Sequence, residues 1–397
     1  MVCNLKRLPA FLTAVVLAVA GVATMPDSAD ARTHRGHGHV KHSRHYMARH
    51  QKRAKAIASV AMQPQVGVLV ISENGQTVMD ELSDLEFNPA SVAKLVTAYG
   101  AIKTLGLDHQ FNTNVLYDGD FDKSSGVLTG DLYIQGADPD FEREDALELR
   151  QLIADAGLKK VSGKLFVSSD FSYGSASDAG WSSRSLSRIL RGAVAVHGGT
   201  SVGSAPENSK ALAEYQSETL KETLKEMLSY SQNNVAEQIG RSVGGISKME
   251  DLVTREAGLA PGSLKLSSAS GLGKGRVKPK DMMLVLKGLR NELKKQGLDL
   301  QDICPVAGID HGTLDERFKT PAERGSVVGK TGTLPGTDGG TSSLVGMFRA
   351  QKEDYYFVIF CWRGDVVSFR HQQDELIRKL QSTRGGPKPF EYSKTNG

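Results

Sequence analysis

The chain has 397 residues, of which 39% are hydrophobic and 24% charged, and its formal net charge is +4. This length and composition are those of an ordinary soluble globular protein, with room for one large domain and an insert. Residues 1–56 hold ten of the 49 Lys and Arg but only two of the 45 Asp and Glu. The rest of the chain is therefore slightly acidic, which argues against a nucleic-acid partner.

The first 31 residues are predicted to be a secretory signal peptide. Lys6 and Arg7 precede an apolar run over residues 10–23, and the Ala-Asp-Ala sequence of residues 29–31 offers a small-residue cleavage site. Because the apolar run is shorter than the stretch a transmembrane helix normally needs, an uncleaved membrane anchor is the weaker alternative. We therefore expect export to the periplasm or the cell-wall space.

Residues 32–60 follow as a predicted disordered linker that is rich in Arg, Lys and His. A solvated tether is the simplest interpretation. The alternatives are electrostatic contact of residues 32–56 with an anionic wall or membrane surface, and opportunistic metal binding through His-x-His. In the remainder no His-Glu-x-x-His or paired-Cys zinc pattern occurs, so we predict neither a metal site nor a cofactor.

The ordered chain is predicted to begin with a β-hairpin and a helix. Residues 66–71 and 76–82 form strand candidates around an Asn-Gly turn signal, and a helix follows to about residue 104. Between residues 108 and 205 the pattern changes to short strands, one helix and loops rich in Ser and Gly, which indicates an inserted subdomain. The predicted domains are a signal peptide (1–31), a linker (32–60), a catalytic domain (61–107 and 206–397) and the insert (108–205).

A nucleophile with its base one helical turn away is predicted at the start of that helix. Pro89 suits the first helical position, so Asn88 is expected to be the N-cap. Ser91 then lies in the first turn, where free backbone N–H groups and the helix dipole favour a developing anion. Lys94 follows on the same face at i+3, and its amine becomes a base once burial or a neighbouring cation lowers its pKa.

Two later motifs raise the significance of Ser91 and Lys94. Ser231-Gln232-Asn233 is predicted to occupy a turn between two helices, and residues 330–333 (Lys-Thr-Gly-Thr) to lie on the first of three closing strands. The ordered set Ser-x-x-Lys, Ser-x-Asn and Lys-Thr-Gly is the signature of penicillin-binding proteins and serine β-lactamases. The sequence therefore predicts acyl transfer through a serine nucleophile.

Two other motifs are interpreted as chance matches. Residues 199–203 fit the Gly-x-Ser-x-Gly elbow around Ser201, but no helical pattern follows them, as an esterase elbow requires. Residues 325–331 resemble a P-loop that is one residue short, and Lys330 is expected on a strand rather than at a helix start. After signal removal only Cys304 and Cys361 remain, and we favour buried free thiols over a disulfide.

Beyond the three motifs, the chain resembles the low-molecular-mass class C penicillin-binding proteins, the type-4 D-alanyl-D-alanine carboxypeptidase/endopeptidase family. About 140 residues separate Ser91 from Ser231, roughly a hundred fewer than in the family, so one of its two usual extra domains is expected to be absent. Gln232 stands where Asp is commoner in the family. The matching runs are residues 88–97, 128–133, 136–139, 268–272, 305–310, 312–314 and 329–333.

The resemblance implies an α/β (α+β) serine β-lactamase/DD-peptidase-like fold, with a central antiparallel sheet flanked by helices, an all-α lobe and a small α/β insert. It implies that Ser91 attacks a D-Ala carbonyl, Lys94 takes the proton, and Lys330 lowers the pKa of Lys94 by charge repulsion. Ser231 would relay a proton to the leaving D-Ala. The implied partners are peptidoglycan muropeptides and β-lactam antibiotics.

The remaining roles concern substrate binding. Asn233 would hold the substrate peptide, and Lys330, Thr331 and Thr333 would bind its terminal carboxylate. Gly332 would let an extended substrate lie against the strand, while the backbone N–H groups of Ser91 and Thr333 form the oxyanion hole.

Two further interpretations remain as alternatives. A serine β-lactamase is weaker because no Glu-x-x-Leu-Asn run of the class A type occurs. A non-catalytic penicillin- or wall-binding protein is weaker because none of the three motifs is lost.

Overall fold

The computed structural model describes residues 64–174 and 178–391. The predicted signal peptide and the linker of residues 32–60 lie outside this part of the chain. Within it, no helix is both long and apolar enough to span a membrane.

The strands are β1 (Gln65–Ser72), β2 (Thr77–Glu81), β3 (Gln110–Asp122), β4 (Val127–Gly136), β5 (Lys160–Val161), β6 (Leu165–Val167), β7 (Ala195–Val196), β8 (Thr200–Val202), β9 (Lys210–Thr219), β10 (Val327–Leu334), β11 (Thr341–Arg349) and β12 (Asp354–Trp362). The α-helices are α1 (Lys94–Leu105), α2 (Arg143–Asp155), α3 (Ala179–Leu190), α4 (Leu220–Tyr230), α5 (Asn233–Ser242), α6 (Ile246–Glu256), α7 (Pro279–Lys294) and α8 (Val366–Ser382).

A five-stranded antiparallel sheet joins the two ends of the described chain. Its order is β10-β11-β12-β1-β2, so the strand that follows the hairpin in space comes from the C-terminal part of the sequence. Strand β12 is buried on both faces: Val358 and Phe360 belong to the core on one side, and Phe357 and Ile359 to the core on the other. This explains its nearly continuous apolar sequence, because side chains alternate across a sheet.

Helices cover both faces of this sheet. Helix α7 packs against β1 and β12, and α8 packs against β11 on the opposite face, where Phe369 and Ile377 are buried. Helix α1 lies at the centre of a helical lobe, in contact with α4, α5, α6 and α7. The second motif therefore reaches the first through helix–helix packing, and the third reaches it through the sheet.

The insert has a sheet and a hydrophobic core of its own. Five of its seven strands follow the order β7-β5-β4-β3-β9, while β6 pairs with β4 and β8 pairs with β6. The predicted end of the insert at residue 205 is too early. Strand β9 pairs with β3 along its length, from Lys210 opposite Tyr117 to Thr219 opposite Gln110. The polypeptide therefore returns to the catalytic domain only at Leu220, where α4 begins.

The two cysteines of the described residues are buried and unpaired, which confirms the prediction of free thiols. Burial raises the pKa of Cys304 to about 12, and burial likewise raises the pKa of Cys361 to about 12. Neither thiol is therefore a nucleophile at neutral pH, because the thiolate is the reactive species.

Candidate active site

Ser91 lies in a short 3-10 turn, Ala90–Ala93, that leads directly into α1. The structure corrects the predicted helix start: Pro89, rather than Asn88, directly precedes the 3-10 turn, and the regular α-helix begins only at Lys94. Asn88 still fixes the turn, since its Oδ1 accepts a hydrogen bond of 3.0 Å from the backbone N–H of Ala90. Ala90 has a φ of 50°, a left-handed conformation that strains a residue with a Cβ.

Lys94 is completely buried, and its ammonium nitrogen faces three oxygen atoms. Nζ lies 3.3 Å from Ser91 Oγ, 2.7 Å from Asn233 Oδ1 and 2.9 Å from the carbonyl oxygen of Ser270. Burial lowers the pKa of Lys94 from 10.5 to about 7, against the opposing charge of Glu237. The amine is thus substantially neutral at pH 7, as a general base must be.

The second motif comes into this cluster from the turn between α4 and α5. Ser231 ends α4 in a left-handed conformation, with φ 61° and ψ 38°, and Asn233 begins α5 two residues later. The reversal of the chain at Ser231 presents the Asn233 side chain to Lys94. The predicted turn between two helices is therefore present at Ser231-Gln232-Asn233.

The third motif lies on β10, which is an edge strand of the five-stranded sheet. Gly332 makes a close approach that the sequence did not predict. A Cβ on Gly332 would lie 2.7 Å from the Pro89 carbonyl oxygen and 3.1 Å from the Ser91 backbone nitrogen. The missing side chain therefore lets β10 touch the turn that holds Ser91, which draws the backbone of Thr333 toward that of Ser91.

Lys330 is fully buried on β10, where its Nζ donates to the carbonyl oxygen of Thr331 at 3.0 Å. Burial and, second, the charge of Lys94 lower the pKa of Lys330 well below 10.5. The predicted repulsion between the two lysines is therefore seen on Lys330. Burial is the largest cause of the lowered pKa of Lys94.

A loop over residues 268–273 supplies contacts that the sequence did not assign. Gly271 has a φ of 83°, and a Cβ there would overlap the Ala90 carbonyl oxygen, so only glycine lets this loop lie against the Ser91 turn. The contact directs the Ser270 carbonyl oxygen to Lys94. Glu237 holds the loop from α5 by accepting from the backbone N–H of Ser270 at 2.9 Å and of Ala269 at 3.3 Å.

A second unpredicted network supports the Ser91 turn from outside. Arg276 forms a bidentate pair with Asp338, at 2.9 and 3.0 Å, in the loop that follows β10. The Asn88 amide donates to Asp338 Oδ2 at 2.9 Å and to the Gly273 carbonyl oxygen at 2.9 Å. Asn88 thus joins the Ser91 turn to two loops that are distant in sequence. Because these residues are far apart in the sequence, no local sequence pattern could have indicated that they pair.

Neither of the two motifs set aside as chance matches has the local structure that its own chemistry requires. Ser201 occupies the three-residue strand β8, which pairs with β6 and has no helix after it. Lys330 and Thr331 are on β10, so a phosphate-binding helix start is absent at residues 325–331. Within residues 64–174 and 178–391, no cluster of His, Cys, Asp and Glu could hold a metal ion.

The sequence matches the model of a known protein family over most of its length. Residues 52–186 and 174–377 match the model of the D-Ala-D-Ala carboxypeptidase 3 (S13) family. A carboxypeptidase of Mycobacterium tuberculosis is 26% identical over 394 residues, covering 82% of each chain. A D-alanyl-D-alanine carboxypeptidase of Haemophilus influenzae is 31% identical over 172 residues, which are 39% of this chain and 34% of that protein.

Solved structures agree on the architecture. A predatory peptidoglycan endopeptidase of Bdellovibrio bacteriovorus, 20% identical, gives a TM-score of 0.70 and covers 84% of this chain and 96% of its own. Penicillin-binding protein 4 of Haemophilus influenzae, 21% identical, gives 0.66 and covers 79% and 96%. These likenesses confirm the predicted DD-peptidase fold.

Proposed function

The chain belongs to the D-Ala-D-Ala carboxypeptidase 3 (S13) family and is a serine D,D-peptidase acting on peptidoglycan, and from this premise we propose that Ser91 is its nucleophile and Lys94 its general base. The peptide bond attacked is that of D-Ala–D-Ala at the end of a stem peptide, or the equivalent D,D-bond in a cross-link. Both bonds present the same D-Ala carbonyl, so one set of catalytic groups serves carboxypeptidase and endopeptidase activity.

The observation that supports this assignment most strongly is the surroundings of the Lys94 nitrogen. A neutral amine has two N–H bonds and one lone pair. The two shorter contacts, 2.7 Å to Asn233 Oδ1 and 2.9 Å to the Ser270 carbonyl oxygen, use both N–H bonds. The lone pair is then left for the hydroxyl proton of Ser91, whose Oγ lies 3.3 Å away. Lys94 is thus oriented to accept that proton as Ser91 attacks.

The charge that develops on the attacked carbonyl oxygen needs backbone donors. We assign the N–H groups of Ser91 and Thr333, because the contact of Gly332 with the Ser91 turn draws these two segments together. Removing one such donor typically costs ~2.7–4 kcal/mol of transition-state stabilisation. Residues 305–307 pair with the outer side of β10 as far as Gly329. An extended stem peptide can pair with this edge strand beyond Gly329 and so present its carbonyl there.

The terminal carboxylate would be bound by Lys330, Thr331 and Thr333, which follow one another on the same strand. Ser231 would pass a proton to the nitrogen of the leaving D-Ala. Asn233, which accepts a hydrogen bond from Lys94, would also bind the substrate peptide. Water then hydrolyses the ester formed on Ser91. A penicillin would acylate Ser91 in the same way, as in the solved penicillin G-acylated form of the Bdellovibrio endopeptidase.

Peptide mapping after reaction with a fluorescent penicillin tests the assignment, with Ser91→Ala beside the wild type. A stable adduct on the Ser91 peptide, absent from the variant, is expected, followed by release of D-Ala from muropeptides. Labelling at Ser201, or no adduct at all, would contradict the proposal. Rapid turnover of the antibiotic without a lasting adduct would point instead to β-lactamase activity.

We propose further that the enzyme works outside the cytoplasm, since its peptidoglycan substrate lies there. Cleavage after Ala31 would leave the basic residues 32–56 at the new N-terminus, where contact with an anionic wall or membrane surface remains a proposal. N-terminal sequencing of the exported protein should give Arg32 as its first residue. An intact N-terminus in the exported fraction would contradict cleavage.

A further inference from the structure

Arg370 is a cation at the end of the Lys-Thr-Gly strand that none of the three motifs includes. It lies in the second turn of α8, and its Nη2 donates a hydrogen bond of 2.9 Å to the Oγ1 of Thr333. The neighbouring residues on the helix fix its position, since Phe369 is buried against the sheet and Gln373 is bonded to Ser342. An exposed side chain is thus anchored on a rigid element beside the cleft.

The guanidinium of Arg370 has no carboxylate partner among the described residues. Two other arginines near it are paired, Arg317 with Asp374 at 2.5 Å and Arg378 with Glu323 at 2.6 Å. The charge of Arg370 also reaches Arg317, whose pKa it helps to lower after the larger effect of burial. An unpaired guanidinium in such a position attracts a carboxylate from outside the protein.

The contact with Thr333 also sets the direction of a hydroxyl. Thr333 Oγ1 accepts from Arg370, so its own proton is free to be donated to another oxygen in the cleft. A carboxylate that accepts this proton at ~2.7 Å comes within reach of the remaining N–H groups of the same guanidinium. One anion can therefore be bound by a hydroxyl and a cation together.

We propose that Arg370 and Thr333 together recognise the free α-carboxylate of the leaving D-amino acid, so that Arg370 determines selectivity for substrates that end in a carboxylate. This inference rests on the proposed function of Ser91 and the edge strand. Arg370 touches the substrate without taking part in bond making, and its effect is expected mainly in KM. The substrate class is a D,D-peptide with an ionised terminus, and a β-lactam acid is its analogue.

The test compares paired reagents that differ only in this carboxylate. Acylation rates are measured with benzylpenicillin and its methyl ester, and hydrolysis with a D-Ala–D-Ala peptide and its C-terminal amide. For Arg370→Ala we expect a loss of roughly 10- to 100-fold in kcat/KM with each acid, mainly through KM, and a change below about threefold with the ester and the amide. Arg370→Lys should recover part of the loss because it keeps the charge, whereas Arg370→Gln, which keeps a donor for Thr333, should not.

Arg378→Ala is the matched control, since Arg378 lies two turns along the same helix and is paired with Glu323. It should leave the ratio between acid and ester unchanged. An equal loss with acid and ester in Arg370→Ala, or no loss with either, would overturn the role of Arg370 while leaving Ser91 as nucleophile. If the wild type is not acylated by either reagent, the proposed function fails, and the inference fails with it.

Discussion

The rate at which penicillin acylates Ser91 should change with pH and show an inflection near 7. Burial lowers the pKa of Lys94 from 10.5 to about 7, which corresponds to about 5 kcal/mol in favour of the neutral amine. Only the neutral amine can accept the serine proton. Each pH unit below the inflection therefore lowers the rate about tenfold, and at pH 5 about 1% of the plateau rate should remain.

The assay is stopped-flow acylation by a fluorescent penicillin between pH 5 and 9, with circular dichroism at each pH to verify folding. One control is essential because burial also raises the pKa of Asp138 and of Asp140 to about 7. These carboxyl groups ionise in the same range as Lys94. Asp138→Asn should leave the inflection of the acylation rate where it is, since the proposed base is Lys94 and not a carboxylate.

Glu237→Gln provides a directional test of the same reasoning. The negative charge of Glu237 raises the pKa of Lys94 and so opposes the larger effect of burial. Its removal should shift the inflection to lower pH, while the Gln side chain can still accept a hydrogen bond from the Ser270 loop. A rate that is constant from pH 5 to 9, or a shift to higher pH in this variant, would refute neutral Lys94 as the base.

The contacts around the cleft and the insert support three more expectations. Gly332→Ala should lower the acylation rate about 100-fold or more, because its Cβ would meet the backbone of the Ser91 turn. Gly336→Ala is the control and should react as the wild type in the same assay, because its Cβ meets nothing within 4 Å. Asp338→Ala leaves Arg276 unpaired, so urea denaturation should show a loss of about 2 kcal/mol in the free energy of unfolding. Asp138 binds a proton more tightly when folded, so its contribution to stability decreases as the pH rises from 3.8 to about 7. Asp138→Asn should therefore be the more stable form at pH 8, by up to about 4 kcal/mol, but not at pH 3.

Each of these expectations can fail separately. Equal rates for the two glycine variants would show that the close approach of β10 is not needed for acylation. An unchanged denaturation midpoint in Asp338→Ala would mean that the network around Arg276 adds nothing to stability. A constant stability difference between wild type and Asp138→Asn from pH 3 to 8 would contradict a raised pKa.

The sequence predicted the parts of the site whose signals are local. Ser91 and Lys94 are one turn apart, and the closing strands β10 to β12 are apolar enough to be recognised without knowing their partners. Strand β3 was missed because its exposed face makes it polar, with only alternate residues such as Phe111 and Val115 buried. The Ser270 carbonyl could not be found, since a backbone oxygen has no residue type to mark it.

Long-range pairing accounts for the other omissions. The boundary of the insert depends on β9 pairing with β3, about a hundred residues earlier. The link from Asn88 to Asp338 spans 250 residues. The contact of Gly332 with the Ser91 turn was missed for the same reason, because the two are distant in sequence and close only in the folded protein.

The burial of both cysteines has a practical consequence for experiments on this enzyme. Cys304 and Cys361 are each 1% exposed, so maleimide and other thiol reagents should leave them unmodified in the folded state. A cysteine introduced on the surface would then be the preferred target for a label among the described residues. Fluorophores or spin labels could be attached beside the cleft without first replacing Cys304 and Cys361. Slow modification of Cys361 on adding urea would report the opening of the core around β12.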